Sequence, residues 1–286
     1  MKKYVQQIML GSILKNEEKT SDILKQLKSF GYEGLELNGF MIHHSPLMVR
    51  LLTKAYGMPT GRSGDMDWLK LMKDANMSVI SLHSDLDSLE KKSQEIIAEA
   101  RKFNTSYIVI TGMYNYDYSN EEKVKELSER LNACGKILKD NDLKLLYHNH
   151  NVELLNTESG KKAYEILIEE TDPEYVNFEF DSYWFTEAGG DAKAWMKRLG
   201  KRMKLWHVSD RGSRIKKKAL TPIISSDPVE LGTGNLDLDG MKQIAMENET
   251  EAMIVEIHKN FLDNDPLKTL NLSSRWLNKK DESDHC

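Results

Sequence analysis

The chain has 286 residues, of which 40% are hydrophobic and 30% are charged. This balance is typical of a soluble globular protein with a sizeable core and argues against a disordered chain. The formal net charge of −5 at pH 7 provides no general attraction for a phosphate backbone, so we expect no nucleic acid partner.

Short apolar runs alternate along the chain with amphipathic stretches. The runs are rich in β-branched and aromatic residues and predict eight strands, at 4–10, 34–38, 78–84, 107–113, 144–150, 175–181, 203–210 and 252–258. The stretches between them repeat apolar residues at intervals of three and four positions and predict helices at 17–30, 65–76, 89–103, 121–141, 160–170 and 191–200.

This alternation predicts the fold class. Strands separated by helices usually form parallel βαβ units, and eight such units predict an α/β fold of the (β/α)8 TIM barrel type, with 1–286 as a single domain. An open, doubly wound sheet is the alternative, but no G-x-G-x-x-G turn follows the first strand and no P-loop motif occurs. The longest interruptions, 38–64 and 211–237, are interpreted as functional loops at the carboxyl ends of the strands.

Carboxylates and imidazoles stand at the ends of most predicted strands. They are Glu36, His83, Asp85, His148, His150, Glu153, Glu179, Asp181, His207, Asp210, Glu256 and His258. Burying a carboxylate costs several kcal/mol unless it is paired or bound to a metal, and one divalent cation could neutralise two or three of them. Oxygen donors with one or two imidazoles and no thiolate favour Mn²⁺, with Mg²⁺, Co²⁺ or Zn²⁺ as alternatives. Taken singly, His207 could equally be a hydrogen-bonded core histidine, and Glu179 could point outward.

Five segments resemble a known family. They are YHNHNVEL (147–154), FEFDSYW (178–184), WHVSD (206–210), LGTGNLD (231–237) and IVEIHKN (254–260). They are similar to motifs of the xylose-isomerase-like TIM barrels, which include sugar phosphate isomerases and epimerases, ketose 3-epimerases, inosose dehydratases and endonuclease IV. The resemblance covers nearly the whole chain. It implies a divalent ion held by a glutamate, an aspartate, a histidine and a glutamate from strands five to eight.

Carried over to this chain, the resemblance assigns Asp181, His207 and Glu256 as metal ligands from strands six, seven and eight. Strand five departs from the family pattern, because His148 occupies the position of the family's glutamate. Either Glu153 folds back as the ligand and leaves His150 to face the substrate, or His148 itself binds the ion. We favour Glu153, since a third carboxylate suits a hard ion.

A second departure is Ser209, which stands where the subgroup usually has a lysine between histidine and aspartate. If that lysine serves an anionic group, a phosphorylated substrate is less expected for this chain. Arg211 or Arg214 could compensate for its absence.

The family implies proton chemistry next to a carbonyl, in which the metal acts as a Lewis acid and stabilises an enediolate. An imidazole has an ordinary pKa near ~6.5, which suits proton transfer at neutral pH. His150 is the first candidate base, and Glu256 or Glu153 is its partner, with His148 as a further catalytic candidate. We assign substrate binding to Glu36, His83, Trp184 and Asp210, for which packing is the alternative role.

These residues predict a metal-dependent isomerase or epimerase that acts on a small carbohydrate. The alternative is a dehydratase or lyase that acts on a keto-sugar or cyclitol with the same site. A nuclease like endonuclease IV is disfavoured, because the chain lacks a basic balance and the full ligand set. A non-catalytic sugar-binding protein that keeps the pocket is a further alternative.

The remaining features concern the cellular setting. Cys134 and Cys286 are the two cysteines and cannot form a disulfide framework, so we expect a reducing, cytoplasmic compartment. No run approaches the ~18 apolar residues of a membrane span, and the interrupted opening 1–18 does not predict a signal peptide. The basic stretch 211–218 is interpreted as a solvated loop or a substrate-side lid. Barrels of this size often pair, so a homodimer is an open alternative.

Overall fold

A closed barrel of eight strands forms the centre of the protein, and all neighbouring strands in it run parallel. The computed structural model describes residues 1–44, 51, 59–213, 223 and 225–279. The barrel strands are β1 (Lys2–Gln6), β2 (Gly34–Asn38), β3 (Ser78–Ser84), β4 (Tyr107–Thr111), β5 (Lys144–His148), β6 (Val176–Asp181), β7 (Met203–Val208) and β10 (Ala252–Val255). The last of these pairs with both β7 and β1 and so closes the barrel. Two short strands, β8 (Asp210–Gly212) and β9 (Asp227–Val229), form an antiparallel hairpin at the end of β7.

The helices lie between the strands in the order expected for βαβ units. The described helices are α1 (Glu17–Ser29), α2 (Gly39–Ile42), α3 (Trp68–Asp74), α4 (Leu86–Phe103), α5 (Glu121–Lys139), α6 (Ala163–Glu170), α7 (Ser182–Glu187), α8 (Ala192–Leu199), α9 (Leu238–Glu247) and α10 (Pro266–Leu277). Asn16, Asp85 and Asp181 each accept a hydrogen bond from a backbone amide of the helix that follows, and this contact fixes where that helix begins. In the described part of the chain, no helix is both long enough and apolar enough to cross a membrane.

The interior of the barrel changes from apolar to polar along the strands. One buried apolar cluster consists of Tyr4, Ile80, Tyr107, Val109, Leu146, Leu205, Ala252 and Ile254. Successive side chains of a strand point to opposite faces, so the residue two positions further along faces the same interior. Leu146 is therefore followed on that face by His148, Leu205 by His207 and Ile254 by Glu256. This two-residue period places the predicted site residues in the barrel interior at the carboxyl ends of the strands.

The prediction of a TIM barrel is confirmed, and the spans 34–38 and 78–84 coincide with β2 and β3. The hairpin of β8 and β9 and the helices α2, α7, α9 and α10 were not predicted. The loops predicted at 38–64 and 211–237 are described only in part. Arg214 and the lysines of the basic stretch lie outside the described residues, as does Cys286.

Candidate metal centre and active site

An open cavity of about 850 Å³ lies at the carboxyl ends of the strands. Its lining includes His83, His148, His150 and Glu256, which come from or directly follow barrel strands, and its outer wall includes residues of α4 such as Glu95. The volume falls in the range of roughly 300–1,000 Å³ that is typical of small-molecule pockets. These four strand-end residues therefore contribute three imidazoles and one carboxylate to the lining of this cavity.

Four polar side chains converge beside this cavity, and two of them, His148 and Glu256, line it. His148, Asp181, His207 and Glu256 each offer one ligand atom, and these atoms lie within 4.8 Å of one another. His207 Nδ1 lies 2.9 Å from Glu256 Oε2 and 4.0 Å from Asp181 Oδ2. Because β5, β6, β7 and β10 are consecutive neighbours in the barrel, residues far apart in the sequence meet here. We refer to these four residues as the ligand tetrad.

A second polar group is buried next to the ligand tetrad and shares His207 with it. It consists of Glu36, His83, Glu179 and His207. His83 Nε2 lies 3.0 Å from Glu36 Oε2 and 3.1 Å from Glu179 Oε2, and both carboxylates are fully buried. Two imidazoles thus stand between two carboxylates that water does not reach.

The electrostatics of both groups reflect this burial. Burial raises the pKa of Asp181 to about 8 against the opposing effect of His207, and burial with the nearby Glu36 charge raises the pKa of Glu179 to about 7. Burial would also raise the pKa of Glu256, but the hydrogen bond and charge of His207 lower it to about 2. Burial lowers the pKa of His207, yet the charges of Glu179 and Glu36 outweigh this and hold it well above its ordinary value.

Two observations show that these residues fit a divalent cation. The tetrad supplies two carboxylates and two imidazoles, which are ligands that Mn²⁺ and Zn²⁺ both accept. Within the described residues, Glu179 Oε1 is also buried without a hydrogen-bond partner, so this region contains more negative character than its protein donors satisfy.

The segment 147–154 connects the tetrad to the rest of the site. Asn149 accepts a hydrogen bond from the backbone amide of Asp181 at 3.0 Å and donates to the carbonyl of Asp181 at 3.1 Å, which fastens the end of β5 to the end of β6. The His150 ring lies 4.9 Å from the His148 ring and 6.2 Å from the Trp184 ring, measured between centroids. The histidine that follows the strand is thereby held beside the tetrad.

Comparison with known proteins identifies the family. The sequence model of the family described as "Xylose isomerase-like TIM barrel" matches residues 24–280. The chain belongs to this family. The solved structure of a sugar phosphate isomerase/epimerase from Parabacteroides distasonis has the same fold, with a TM-score of 0.75 and 21% identity over 96% of this chain and 93% of that one. A structure named IOLI protein, which contains a zinc atom, matches with a TM-score of 0.67 and 15% identity over 96% of each chain.

A curated relative matches at higher identity over a shorter stretch. The inosose dehydratase of Mesomycoplasma hyopneumoniae (strain J) is 33% identical over 127 residues, which is 44% of this chain and 37% of that protein. The chain spans less than two thirds of the length of this and the other curated relatives it matches. The curated relatives matched by sequence are named inosose dehydratases, and solved structures of the same fold include proteins named as isomerases, epimerases and a probable dehydratase.

The position of Glu153 does not support the prediction that it binds the metal in this xylose isomerase-like barrel. It lies in a 3-10 turn, Val152–Leu154, and is fully buried. Its Oε1 accepts a hydrogen bond from the Tyr147 hydroxyl at 2.7 Å, and its Oε2 accepts one from the His150 amide at 2.9 Å. Both oxygens are engaged behind the site, so Glu153 is also poorly placed as an acid or base. His148 provides the strand-five atom of the tetrad instead.

Asp210 likewise does not face the substrate cavity. Its buried carboxylate accepts hydrogen bonds from the backbone amides of Arg211, Gly232, Gly234 and Leu236, at distances from 2.8 to 3.1 Å. The structure therefore does not support the prediction that Asp210 binds substrate. Its carboxylate holds the loop before α9 against β8.

The other three residues predicted to bind substrate have different surroundings. His83 lines the cavity, whereas Glu36 is fully buried and accepts hydrogen bonds from imidazoles. The Trp184 ring stacks on the His258 ring with centroids 4.9 Å apart and planes 14° apart. Sequence reasoning missed the roles of Asn149 and of the α4 wall. The alternation of histidine and asparagine in YHNH was a signal for Asn149, whereas no sequence signal marked the predicted helix α4 as a wall of the cavity.

Proposed function

We propose that this chain is a divalent-metal-dependent isomerase or epimerase that moves a proton next to the carbonyl group of a sugar or sugar derivative. One observation carries the proposal: two carboxylates and two imidazoles converge within 4.8 Å at the cavity that also contains His150. Membership of the xylose isomerase-like family and its named isomerases and epimerases supports the substrate class.

His148, Asp181, His207 and Glu256 would hold the ion, with Mn²⁺ or Zn²⁺ as the best candidates and Mg²⁺ or Co²⁺ as alternatives. When bound, the ion would supply a Lewis acid that polarises the substrate carbonyl. The zinc atom of the structurally similar IOLI protein supports a metal in this fold.

His150 is the proposed base. Burial and the neighbouring His148 lower the pKa of His150 to about 3, so its ring is neutral at pH 7 and can accept a proton, but it is a weaker base than an ordinary imidazole. It lines the cavity beside Glu256, whose low pKa keeps that carboxylate ionised. Return of the proton to the other face of the same carbon gives epimerisation, and return to the adjacent carbon gives isomerisation.

Dehydration is the second candidate, because the curated relatives matched by sequence are named inosose dehydratases. In that reaction the C–H proton passes to the base, and the hydroxyl β to the carbonyl leaves with a proton as water. The substrate would be a keto-sugar or a cyclitol ketone.

The first experiment measures metal in the purified protein. We expect about one equivalent in the wild-type chain and a loss of bound metal in Asp181→Ala and in Glu256→Ala. Glu95→Ala, which changes an exposed carboxylate in the cavity wall, should retain the metal. Unchanged metal content in both tetrad variants would contradict the proposed site.

The second experiment separates the two reactions. Candidate ketosugars and inososes are incubated with the metal-loaded enzyme in D2O. Deuterium exchange at carbon without loss of water indicates an epimerase or isomerase, and loss of water indicates a dehydratase. His150→Gln should abolish the exchange while it keeps the metal; exchange at the wild-type rate would contradict the role of His150 as the base.

A further inference from the structure

Two buried carboxylates lie behind the two histidines of the ligand tetrad. His207 Nε2 lies 2.5 Å from Glu36 Oε2, whereas His207 Nδ1 lies 2.9 Å from Glu256 Oε2 in the tetrad. His148 Nδ1 lies 3.0 Å from Glu179 Oε2. Each histidine therefore directs one ring nitrogen to a fully buried carboxylate, and its other nitrogen is left for the tetrad.

Further hydrogen bonds hold the two carboxylates in place. Glu36 Oε1 accepts a hydrogen bond from the Ser81 hydroxyl at 2.5 Å. The Nε2 atom of His83 lies 3.0 Å from Glu36 and 3.1 Å from Glu179, and so it connects the two carboxylates. Neither carboxylate can rotate away from its tetrad histidine without losing these contacts.

We propose that Glu36 and Glu179 are positioning residues that determine which nitrogen of each tetrad histidine faces the ion. A carboxylate that accepts a hydrogen bond from one ring N–H fixes the proton there and leaves the lone pair on the other nitrogen. His207 accordingly binds through Nδ1 and His148 through Nε2. This inference rests on the proposed metal site and goes beyond it, because it assigns Glu36 and Glu179 to ligand orientation rather than to substrate or metal.

The same buried group could instead hold a second ion between Glu36, His83, Glu179 and His207. His207 would then bind one ion through each nitrogen and would have no ring proton left. A single ion bound through Nδ1 leaves the proton on Nε2 of His207 in place. We therefore favour the positioning role. The two arrangements differ in the number of ions bound per chain.

The test uses the full chain labelled with ¹⁵N-histidine and loaded with ¹¹³Cd²⁺. We expect one cadmium per chain and nuclear magnetic resonance couplings from cadmium to His207 Nδ1 and His148 Nε2. Coupling to the opposite nitrogens, or two cadmium ions per chain, would overturn this inference while leaving a metal site in place. Absence of cadmium binding would overturn the proposed metal site together with it.

Two variants assign the roles separately. Glu36→Gln should weaken cadmium binding about 10- to 100-fold and change the couplings of His207. Glu179→Gln should weaken binding similarly and change chiefly the couplings of His148, because Glu179 Oε2 lies 3.0 Å from His148 Nδ1 and 3.2 Å from His207 Nε2. The control is Glu230→Gln, which alters an equally buried carboxylate that accepts a hydrogen bond from the Thr269 hydroxyl. A loss of affinity with both sets of couplings unchanged would indicate a merely structural role and contradict the proposal.

Discussion

Glu153 shows how a buried carboxylate can serve the site without facing it. Its two oxygens accept hydrogen bonds from the Tyr147 hydroxyl and the His150 amide, so it fixes the backbone from which the proposed base projects. Tyr147 in turn contacts the Tyr118 hydroxyl, which accepts a hydrogen bond from the Met113 amide. A chain of buried hydroxyls therefore supports the loop that follows β5.

The buried carboxyl of Glu153 predicts a specific dependence of stability on pH. Burial raises the pKa of Glu153 to about 7 in the folded chain, from an ordinary value of 4.5. Between these values the folded chain keeps a proton that the unfolded chain has released, so the free energy of unfolding falls as the pH rises. Relative to Glu153→Gln, the wild-type chain should lose on the order of 3 kcal/mol across this window.

Urea unfolding of both proteins at a series of pH values measures this difference. Glutamine can accept a hydrogen bond from the His150 amide and donate one to the Tyr147 hydroxyl oxygen, so the variant keeps both contacts. Glu129→Gln, on the exposed face of α5, provides the control and should follow the wild-type curve. Parallel curves for wild type and Glu153→Gln would contradict the prediction.

At the scale of elements, the loop before α9 is organised around Asp210. Its carboxylate accepts hydrogen bonds from four backbone amides. A Cβ atom at Gly234 would lie 2.5 Å from both Asp210 Oδ1 and the Arg211 carbonyl oxygen. Gly232 has a φ of +78°, which favours glycine. The LGTGNLD motif is thus explained by close backbone approach to a carboxylate.

Asp210→Asn should lower the free energy of unfolding by about 2–4 kcal/mol, because the amide nitrogen of asparagine would face backbone N–H groups that now donate to a charged oxygen. Chemical denaturation measures this loss. Asp237→Asn, at the exposed start of α9, should cost less, since Asp237 accepts one helix amide and pairs with Lys193 at the surface. Metal content should be unchanged in Asp210→Asn; its loss would show that Asp210 acts in the metal centre.

The sequence predicted the barrel because its strands are short apolar runs separated by amphipathic helices. Several strand predictions were too long at their carboxyl ends, where chemistry-bearing residues continue past the last strand pairing, as at His150 and Glu256. Helix α7 was missed because its six residues begin directly at the end of β6. The hairpin was missed because its strands have three residues each.

The candidate site was only partly predictable for a related reason. Alternation along β6 and β7 brings Asp181 and His207 to the same interior face, and this could be anticipated from the strand period. Beyond the end of β5 the period no longer applies, so spacing alone could not show that Glu153 turns away from the cavity. The burial of Glu36 between imidazoles depends on β2, β3 and β7 meeting inside the closed barrel, which only the fold reveals.

At the scale of the whole molecule, the barrel places its ionisable residues at one end of an apolar interior. The carboxylates and imidazoles of the tetrad come from four neighbouring strands, so an ion bound there would link β5, β6, β7 and β10. A ligand that binds only the folded chain stabilises it by mass action. Metal binding should therefore raise the stability of the entire barrel rather than that of one loop.

Removal of metal by chelation should lower the thermal unfolding temperature, and addition of Mn²⁺ or Zn²⁺ at 100 times its dissociation constant should restore about 2.7 kcal/mol of stability. Calorimetry of the chelated and reloaded protein measures the change. Asp181→Ala removes a carboxylate from the tetrad and should abolish the response, whereas Glu95→Ala should retain it. Without Asp181 the tetrad keeps only one of its two carboxylates and should bind the ion more weakly. An equal response in Asp181→Ala would therefore mean that the stabilising ion binds elsewhere.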